Sequence, residues 1–570
     1  MLIYSTLLLL ISNAMNNRRD SSIIYSRISI FIIINTIILL YIILNINFSS
    51  KGLILYNGYI DIKNYLLIFI IFILIISALI ISINSVYSRT IFIKNTILNN
   101  KYLQNLTNII NKMSDQYRII EYPLILLFCI MGVIFLVLSS DLISVFLSIE
   151  LQSYSLYLIS SIYRNSESSI TAGLTYFLLG GLSSCILLLG ISLIYINYGN
   201  TNIENIYIIN NIFNSLKNNV YNAEIIIDNI NIVYLYVYMY TQYLYVQIAL
   251  AIISIGLLFK ISAAPFHFWS PDVYDAIPTI VTTFVAIIPK ISILILLYNL
   301  SYYTYNDNWA GLSWSNTLII SSILSFIVGS ILGLVQYRIK RLFAYSTISH
   351  IGFMLLGLSI NNLESIRALF FYIMQYTISN LNTFLILILM GNSLYTYISN
   401  KNIYIKEKEY SPIQLLSQIK GFFYINPILS ISLSLTFFSF AGIPPLIGFF
   451  GKQMVISAAL DKGLIFLSFI AITTSVIGGI YYLGIIKEMF FSLPDYKVNT
   501  LLENLVLKGN VLNNNKTVIK NVNFKYNNIV ISSPLAFVIS NITLIILLFI
   551  FMNQEWLSMG TILVQILFNG

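Results

Sequence analysis

Four ionisable side chains lie inside otherwise apolar segments of the 570-residue sequence. They are Glu150, Lys260, Lys290 and Lys452, and each has hydrophobic runs on both sides. An unpaired charge at the centre of a bilayer costs roughly 2.5 to 3.5 kcal/mol or more. Because burial favours the neutral form of both lysine and glutamate, such groups can load and release protons near neutral pH. These residue types therefore predict proton transfer inside a membrane without a bound cofactor.

Each of these charges also has a purely structural explanation. The lysines could extend their side chains to the lipid headgroups, although Lys290 lies near the middle of its segment. Glu150 could form a fixed ion pair with one of the lysines. If Glu150 instead pairs reversibly with Lys260, separating the two would favour proton transfer onward to a neighbour such as Lys290 or Lys452. The sequence alone does not tell which groups pair.

The two histidines are further candidates for proton transfer. His350 lies near the middle of an apolar segment among three hydroxyl side chains, and the ordinary pKa of histidine suits a proton relay. A structural histidine with satisfied hydrogen bonds explains that position equally well. His267 lies beside Trp269 near a predicted membrane interface, where it could serve a proton uptake path or anchor the interface. Asp272 and Asp275, which follow it, are expected to cap a helix or to pair locally.

Composition indicates an integral membrane protein without redox centres of its own. Hydrophobic residues make up 58% of the chain and charged residues 9%, against roughly 25% charged residues in soluble proteins. Cys129 and Cys185 stand singly, so this chain alone cannot supply the thiolates of an iron–sulfur cluster or a zinc site. Two histidines are too few for a two-haem cytochrome or a haem–copper centre. We therefore expect no cofactor and no metal in this chain.

The apolar runs predict an all-α, polytopic membrane protein with about 14 transmembrane helices. The positive-inside rule supports this count, because 22 of the 30 basic residues fall in loops after odd-numbered helices, 5 in the other loops and 3 inside spans. Both termini then face the side with few basic residues. The topology also explains the net charge of +9, so we expect no nucleic-acid partner. The predicted spans are residues 2–14, 28–46, 65–83, 122–139, 142–162, 172–195, 246–269, 279–300, 317–336, 342–360, 368–390, 427–460, 464–486 and 534–552.

Two of the predicted helices contain sequences that break a helix. Helix 12 is too long for one crossing and is interrupted by AGIPP at 441–445, and helix 7 contains SAAP at 262–265. Each is the fourth helix of a five-helix unit, helices 4–8 and helices 9–13. Because five is odd, consecutive units have opposite orientations, which predicts two inverted repeats with broken helices 7 and 12.

These repeats divide the chain into four predicted regions. Residues 1–121 hold three helices and a loop, 122–300 the first repeat, 301–491 the second repeat, and 492–570 a loop with helix 14. The two long polar loops, 197–245 and 492–533, are assigned no chemistry.

The motifs around these residues resemble those of the antiporter-like subunits of respiratory NADH:ubiquinone oxidoreductase (complex I) and of the related multisubunit sodium/proton antiporters. The likeness covers roughly predicted helices 4 to 13. Lys452 stands where another branch of the family usually has glutamate, and few residues follow the last predicted span, which favours the chain 2 branch. The matching motifs are residues 259–269 (FKISAAPFHFW), 271–275 (PDVYD), 278–279 (PT), 289–290 (PK), 341–352 (RLFAYSTISHIG), 441–445 (AGIPP) and 448–452 (GFFGK).

The resemblance implies a proton-translocating subunit of the complex I membrane arm. It implies that Glu150, Lys260, Lys290 and Lys452 belong to the proton pathway, with His350 on its hydrophilic axis. It also implies that other subunits bind the NADH, flavin, iron–sulfur clusters and ubiquinone of the complex. The expected partners are the other membrane-arm subunits, including adjacent antiporter-like chains, and membrane lipids. The alternatives are a cation/proton antiporter that uses the same lysines and a scaffold whose ion pairs are fixed.

Residue usage bears on the location of the protein. Residues with AT-rich codons are abundant, with 42 tyrosines and 36 phenylalanines against 26 glycines and 11 prolines. The amino terminus has no visible import signal. These features favour a protein encoded in an organellar genome, and the resemblance to complex I subunits implies a location in the mitochondrial inner membrane. The basic loops would then face the matrix, and both termini would face the intermembrane space.

Overall fold

The apolar segments form long helices in the computed structural model of the chain. It describes residues 1–15, 22–45, 52–84, 91–93, 121–163, 166–209, 230–304, 314–394, 397–399, 413–494, 496–498, 505–513, 516–523 and 533–569. The helices are α1 (Leu2–Met15), α2 (Ser22–Asn45), α3 (Asn64–Asn84), α4 (Glu121–Leu138), α5 (Leu142–Ser161), α6 (Glu167–Tyr198), α7 (Ile230–Ile261), α8 (Trp269–Ala276), α9 (Thr279–Thr304), α10 (Trp314–Leu334), α11 (Ile339–Ile360), α12 (Leu363–Leu394), α13 (Pro427–Ala441), α14 (Ile447–Asp461), α15 (Ile465–Phe490), α16 (Ser533–Leu547) and α17 (Phe549–Asn569).

The helices form the polytopic membrane bundle that the sequence predicts. Within the described residues, ten helices are long and apolar enough to cross a membrane, or eleven if the bent pair α16 and α17 is one span. The other predicted spans coincide with three shorter apolar helices, at Leu2–Met15, Tyr245–Ile261 and Pro427–Ala441. The structure is thus consistent with about 14 crossings, and the boundaries of the four regions stay a prediction.

Both helices with breaking sequences are interrupted. Residues 262–268 separate α7 from α8, and residues 442–446 separate α13 from α14. The first residue of each interruption has a left-handed backbone, with φ of 66° at Ser262 and 86° at Gly442. Glycine adopts this conformation without strain, and the prolines that follow have no N–H to continue a helix. The prediction of two broken helices is therefore confirmed.

Three helices form the centre of the bundle. The apolar window of α9 is 100% buried, and those of α11 and α12 are 89% buried. Helix α9 packs against α3, α4, α7 and α12, and α12 packs against α11, α13 and α14. A side chain near the middle of α9 is therefore surrounded by protein, so a charge there cannot reach the lipid headgroups.

Short strands, which the all-α prediction did not include, lie in the segments between the helices. Strands β1 (Leu53–Leu55) and β2 (Ile60–Ile62) form an antiparallel hairpin, with Leu53 opposite Ile62. The remaining strands are β3 (Ile91–Ile93), β4 (Tyr397–Ser399), β5 (Tyr496–Val498), β6 (Leu505–Asn513) and β7 (Lys516–Asn523). A second sheet has the order β3-β6-β7, and β4 pairs with β5. All these pairs are antiparallel.

The long predicted loops are more ordered than expected. Helix α7 already begins at Ile230, so the segment 230–245 is helical and not part of a loop. In this segment tyrosine alternates with leucine, valine and methionine, which makes it less polar than the asparagine-rich segment before it. In the second loop, β6 and β7 form a hairpin with Val506 opposite Asn523. Hydrogen bonding between extended polar segments accounts for this hairpin.

The last predicted span, residues 534–552, is wrong at its end. Helix α16 stops at Leu547, and the chain turns by 83° before α17 continues to Asn569. Phe549, the first residue of α17, is buried, with its ring centroid 5.5 Å from that of Phe371 and 5.4 Å from that of Phe450. This aromatic packing turns the chain against the bundle. The bend has no sequence signal, because no proline or glycine lies there.

Candidate functional site

Glu150 and Lys260 form an ion pair inside the bundle. Lys260 lies in the last turn of α7, directly before the break, and its Nζ is 3.3 Å from Oε1 of Glu150 on α5. The two side chains are only 8% and 15% exposed. Water therefore screens their attraction weakly, and removal of either partner would leave a poorly compensated charge. The structure thus identifies the partner of Glu150, which the sequence left open.

A cavity lies beside this ion pair, and Gln152 connects it to α9. Lys260, Gln152 and Trp269 are among its lining residues. The amide oxygen of Gln152 accepts a hydrogen bond from Ser292 of α9 at 3.3 Å, whereas its Nε2 has no hydrogen-bond partner among the described residues. Because buried polar groups are normally satisfied, we expect a water molecule at Nε2. Ser292 is two residues from Lys290, so this contact joins the ion-pair cavity to the helix that carries Lys290.

Lys290 is buried at the middle of α9. Its Nζ donates a hydrogen bond to Oγ1 of Thr347 on α11 at 3.1 Å, and lies 5.5 Å from the ring centroid of Tyr274. In the part of the chain that the structure describes, no carboxylate lies within ion-pair distance of this ammonium. Among the residues that the structure describes, a hydroxyl and an aromatic face compensate a positive charge here. The headgroup explanation for Lys290 is therefore excluded by its position.

His350 is one helical turn beyond Thr347 on α11. Its Nδ1 is 2.7 Å from the hydroxyl of Tyr372, and its Nε2 is 3.5 Å from the hydroxyl of Tyr482. Both ring nitrogens therefore face groups that can donate or accept a proton. The same contacts satisfy a structural histidine, so the geometry fits both explanations.

Lys452 lies on α14, just after the second helix break. Its Nζ donates to the carbonyl oxygen of Ala441, the last residue of α13, at 3.0 Å. Carbonyl groups at a helix C-terminus carry partial negative charge, so this contact stabilises the ammonium. The ammonium is 5.6 Å from the ring centroid of Phe353, which stacks on Tyr372, the partner of His350. His350 and Lys452 thus contact the same stacked pair of aromatic rings, Phe353 and Tyr372.

His267 lies within the first helix break, seven residues after Lys260. It is buried, its Nδ1 is 3.2 Å from the carbonyl oxygen of Pro265, and its ring contacts those of Phe268 and Tyr345. No hydrogen bond joins it to Lys260 or the other buried charges in the described ranges of the chain. The structure therefore pairs Glu150 with Lys260 and brings His350 and Lys452 to neighbouring aromatic rings. Lys290 has a separate partner in Thr347, and His267 takes part in none of these contacts among the described residues.

Salt bridges attach the segment after the first break to α11. Asp275 pairs with Arg338 and lies 3.6 Å from Nε of Arg341, while Asp272 lies 2.8 Å from the same guanidinium. The two carboxylates therefore form ion pairs, but the expectation of local pairing was wrong: their partners lie 63 and 69 residues further along the chain, in the second predicted repeat. The contact holds α8 against the N-terminus of α11, and so fixes the first break relative to Lys290 and Thr347.

These two carboxylates are expected to differ in their contribution to stability. The Asp275 side chain is 7% exposed and that of Asp272 is 73% exposed. Asp275→Asn should lower the melting temperature of the assembled protein clearly, because both arginines lose a buried partner. Asp272→Asn should change the free energy of unfolding by less than about 1 kcal/mol, as for other surface ion pairs. Thermal unfolding of the two variants, followed on native gels, tests this order; equal losses would contradict it.

Buried polar side chains on α12 are a feature that the sequence analysis missed. Gln375, Ser379, Asn380 and Asn382 are all fully buried, and each has side-chain atoms without a hydrogen-bond partner among the described residues. Such atoms require bound water. A signal was available, because positions 375, 379 and 382 recur at helical spacing in an apolar segment.

Helix α12 lies between the helices that carry Lys290 and Lys452. On one side, the hydroxyl of Tyr376 donates to the carbonyl of Ala286 on α9 at 3.2 Å. On the other side, the Gln375 amide lies against Gly448 and Gly451 of α14. A Cβ atom on either glycine would crowd this amide. The polar residues of α12 therefore occupy the space between the two lysine sites.

The fit of Gln375 against α14 can be tested by a suppressor variant. A Cβ on Gly451 would overlap the amide oxygen of Gln375, whereas a Cβ on Gly448 would overlap the backbone carbonyl of Ser439. Gly451→Ala should reduce the amount of assembled protein, and adding Gln375→Ala should restore it. Gly448→Ala should not be rescued, because a backbone atom cannot be removed. Native electrophoresis measures both amounts, and rescue of neither or both variants would contradict this packing.

Comparisons with known proteins converge on one family. The family described as "NADH:quinone oxidoreductase/Mrp antiporter, TM" matches residues 139–478, which is more than half of the chain and includes all six candidate residues. The NADH-ubiquinone oxidoreductase chain 2 of Rhizopus oryzae is 40% identical over 551 residues, covering 96% of each chain. The NADH-quinone oxidoreductase subunit N of Rhodospirillum rubrum is 33% identical over 374 residues, 65% of this chain and 67% of that relative.

Solved structures share the same fold. One chain of respiratory complex I from Thermus thermophilus gives a TM-score of 0.65 at 20% identity, and the match covers 98% of this chain and 97% of that one. One chain of the Mrp complex from Dietzia sp. DQ12-45-1b gives a TM-score of 0.69 at 17% identity, with 99% and 96% covered. At these identities the likeness concerns the fold.

Proposed function

The chain belongs to the NADH:quinone oxidoreductase/Mrp antiporter family, and we propose that it translocates protons as a membrane-arm subunit of respiratory complex I. The observation that carries this proposal is Lys290, an amine at the centre of a wholly buried helix with a hydroxyl as its hydrogen-bond partner. A buried amine of this kind can exist in charged and neutral forms of similar free energy. A lysine inside a membrane bundle lowers the stability of the folded protein, so its presence there indicates a functional role for its protonation.

Proton movement is proposed to begin at the Glu150–Lys260 pair. While the pair is closed, at 3.3 Å, the carboxylate stabilises the charged lysine. When the pair opens, this stabilisation is lost, and the proton leaves Nζ of Lys260 for the water-accessible path through Gln152 and Ser292. Lys290 then accepts a proton on its Nζ. The helix break after Lys260 gives the backbone the freedom that such an opening requires.

The second part of the pathway is proposed to run from Lys290 to Lys452. Thr347 accepts the hydrogen bond of Lys290, and His350 follows one turn later on the same helix. Water bound by the polar residues of α12 would complete the connection. A proton that arrives at Lys452 creates an ammonium group, which the carbonyl of Ala441 stabilises. His267, inside the first break, is the candidate for proton uptake from the side of the basic loops.

The energy for this movement is proposed to come from electron transfer in other subunits. The relative of this chain from Rhizopus oryzae is named as a chain of NADH-ubiquinone oxidoreductase. We assign NADH, flavin, iron–sulfur clusters and ubiquinone to partner subunits of the complex. The partners would be neighbouring membrane-arm chains, including antiporter-like ones, and lipids. We place the chain in the mitochondrial inner membrane, with the basic loops in the matrix and both termini in the intermembrane space.

Native electrophoresis of gently solubilised membranes tests this assignment. The gel is stained for NADH dehydrogenase activity, and the chain is located by mass spectrometry. Recovery in a very large NADH-oxidising band is the expected result. Recovery only in a small band without that activity would overturn the assignment and favour a cation/proton antiporter.

A further inference from the structure

A second cluster of ionisable groups lies at the opposite end of α9 from Asp275. Nζ of Lys63 is 2.9 Å from Oδ2 of Asp61, 3.0 Å from Oε1 of Glu204 and 2.8 Å from the hydroxyl of Tyr303. We name these four residues the Lys63 cluster. They come from three separate segments: the hairpin that leads into α3, the segment after α6, and the last turn of α9. Neither the sequence motifs nor the pathway above includes them.

Backbone hydrogen bonds hold two of the three segments in place. The amide of Ser140, between α4 and α5, donates to the carbonyl of Tyr59 at 3.2 Å, and the amide of Leu142 donates to that of Thr201 at 3.0 Å. Asp141, the N-cap of α5, also accepts a hydrogen bond from the Thr201 hydroxyl at 3.1 Å. The hairpin and the segment after α6 are therefore both fixed to the start of α5, the helix that carries Glu150.

The Lys63 cluster leads from the surface toward the interior. The exposed fraction of the side chain falls from 42% for Glu204 to 25% for Lys63 and 9% for Asp61. Oδ1 of Asp61 is buried without a hydrogen-bond partner among the residues that the structure describes. Burial raises the pKa of the Asp61 carboxyl above its ordinary value, against the opposing effect of Lys63. In the cluster the Lys63 ammonium thus contacts an exposed acid, Glu204, on one side and a buried acid, Asp61, on the other.

Polar contacts continue from the Lys63 cluster along one face of α9. Ser292, Asn299 and Tyr303 are spaced 7 and 4 residues apart, which puts them on the same helix face. Tyr65 of α3, two residues from Lys63, donates a hydrogen bond to Oδ1 of Asn299 at 3.4 Å. At the other end of this face, Ser292 donates to Gln152 beside the ion-pair cavity.

One short apolar interval separates the two halves of this polar face. From Ser292 to Asn299 the helix rises by about 10 Å, and Leu296 lies between them on that face.

We propose that the Lys63 cluster is the proton port of the first five-helix unit on the side opposite the basic loops. Glu204 exchanges protons with water, and Lys63, Asp61 and Tyr303 pass them to and from Asn299. At each step one group gives up a proton and the next binds it, so no oxidant or other reactant is needed. The inference rests on the proposed function, because it requires protons to move through α9.

The inference is tested with the whole complex purified from strains that carry variants of this chain. Glu204→Gln removes the exposed acid, and Asn299→Leu interrupts the polar face of α9. The matched control is Ser301→Ala on the same helix, whose hydroxyl donates to the carbonyl of Tyr298 one turn earlier and, within the described segments, to no other group. The measurements are the amount of assembled complex, the NADH:ubiquinone rate per complex, and the ratio of that rate in H₂O to that in D₂O.

A proton port and a structural clamp give different results. For a port, both test variants lower the rate per complex by at least about tenfold and raise the isotope ratio, because positioned proton donors typically contribute about 10²–10⁴-fold. For a clamp, the variants lower the amount of complex but leave the rate per complex and the isotope ratio at the wild-type values, which would overturn the inference. If Asn299→Leu does not assemble, Tyr65→Phe removes only the hydroxyl that contacts Asn299.

Lys290→Met, measured in parallel, separates this inference from the proposed function. If Lys290→Met lowers the rate per complex and the Lys63 cluster variants do not, only the port is wrong. If none of the variants lowers the rate, the proposed function is wrong as well.

Discussion

Lys290→Met should leave the complex assembled and lower its NADH:ubiquinone rate by at least about tenfold. Methionine keeps the volume and flexibility of the lysine stem but cannot bind a proton. Because Lys290 is fully buried and has no carboxylate partner among the described residues, its removal leaves no opposite charge uncompensated. Stability should therefore be maintained or raised, while the proton path loses its central site.

The control for this variant is Leu294→Met, one turn further along α9. Leu294 is as buried as Lys290, and a leucine-to-methionine exchange in a core usually costs less than about 1.5 kcal/mol. It should assemble and work at nearly the wild-type rate. A normal rate for Lys290→Met would mean that the lysine is a structural group. An equal loss in both variants would assign the effect to disturbed packing of α9.

Removing both members of the Glu150–Lys260 pair should not restore activity. Glu150→Gln alone leaves a buried ammonium without its carboxylate, and Lys260→Met alone leaves a buried carboxylate. Each single variant should lower both the amount of complex and the rate per complex, because an uncompensated buried charge costs about 3–5 kcal/mol. In the double variant no charge is left, so the amount of complex should recover.

The rate of the double variant distinguishes a proton-transfer pair from a fixed structural pair. If the pair transfers protons, the double variant stays at least about tenfold slower per complex although it assembles. If the pair only holds α5 against α7, the double variant recovers its rate together with its amount. The two quantities are measured by native-gel densitometry and by NADH:ubiquinone assays on the same membranes.

The sequence predicts the charged residues well because charge inside an apolar segment is a local signal. Glu150, Lys260, Lys290 and Lys452 were found by this signal alone, and so were the two helix breaks, since proline and glycine act on their own backbone. The partner of a charge is not a local property. Thr347 lies 57 residues from Lys290, and only the packing of α9 against α11 brings them to 3.1 Å.

The features that the sequence did not predict depend on contacts between distant segments. The bend between α16 and α17 depends on Phe549 packing against Phe371 and Phe450, which no local pattern records. The Lys63 cluster joins residues up to 240 positions apart, such as Lys63 and Tyr303. The polar residues of α12 were present as a helical pattern, but their meaning depends on the burial of that helix on all sides.

The ratio of protons pumped to electrons transferred tests the central claim most directly. Complex with wild-type chain, Lys290→Met or Leu294→Met is reconstituted in sealed vesicles, and acidification and NADH oxidation are recorded together. The residual turnover of Lys290→Met should pump fewer protons per electron than the wild type, while Leu294→Met keeps the wild-type ratio. A wild-type ratio for Lys290→Met would contradict proton translocation through the buried charges of this chain.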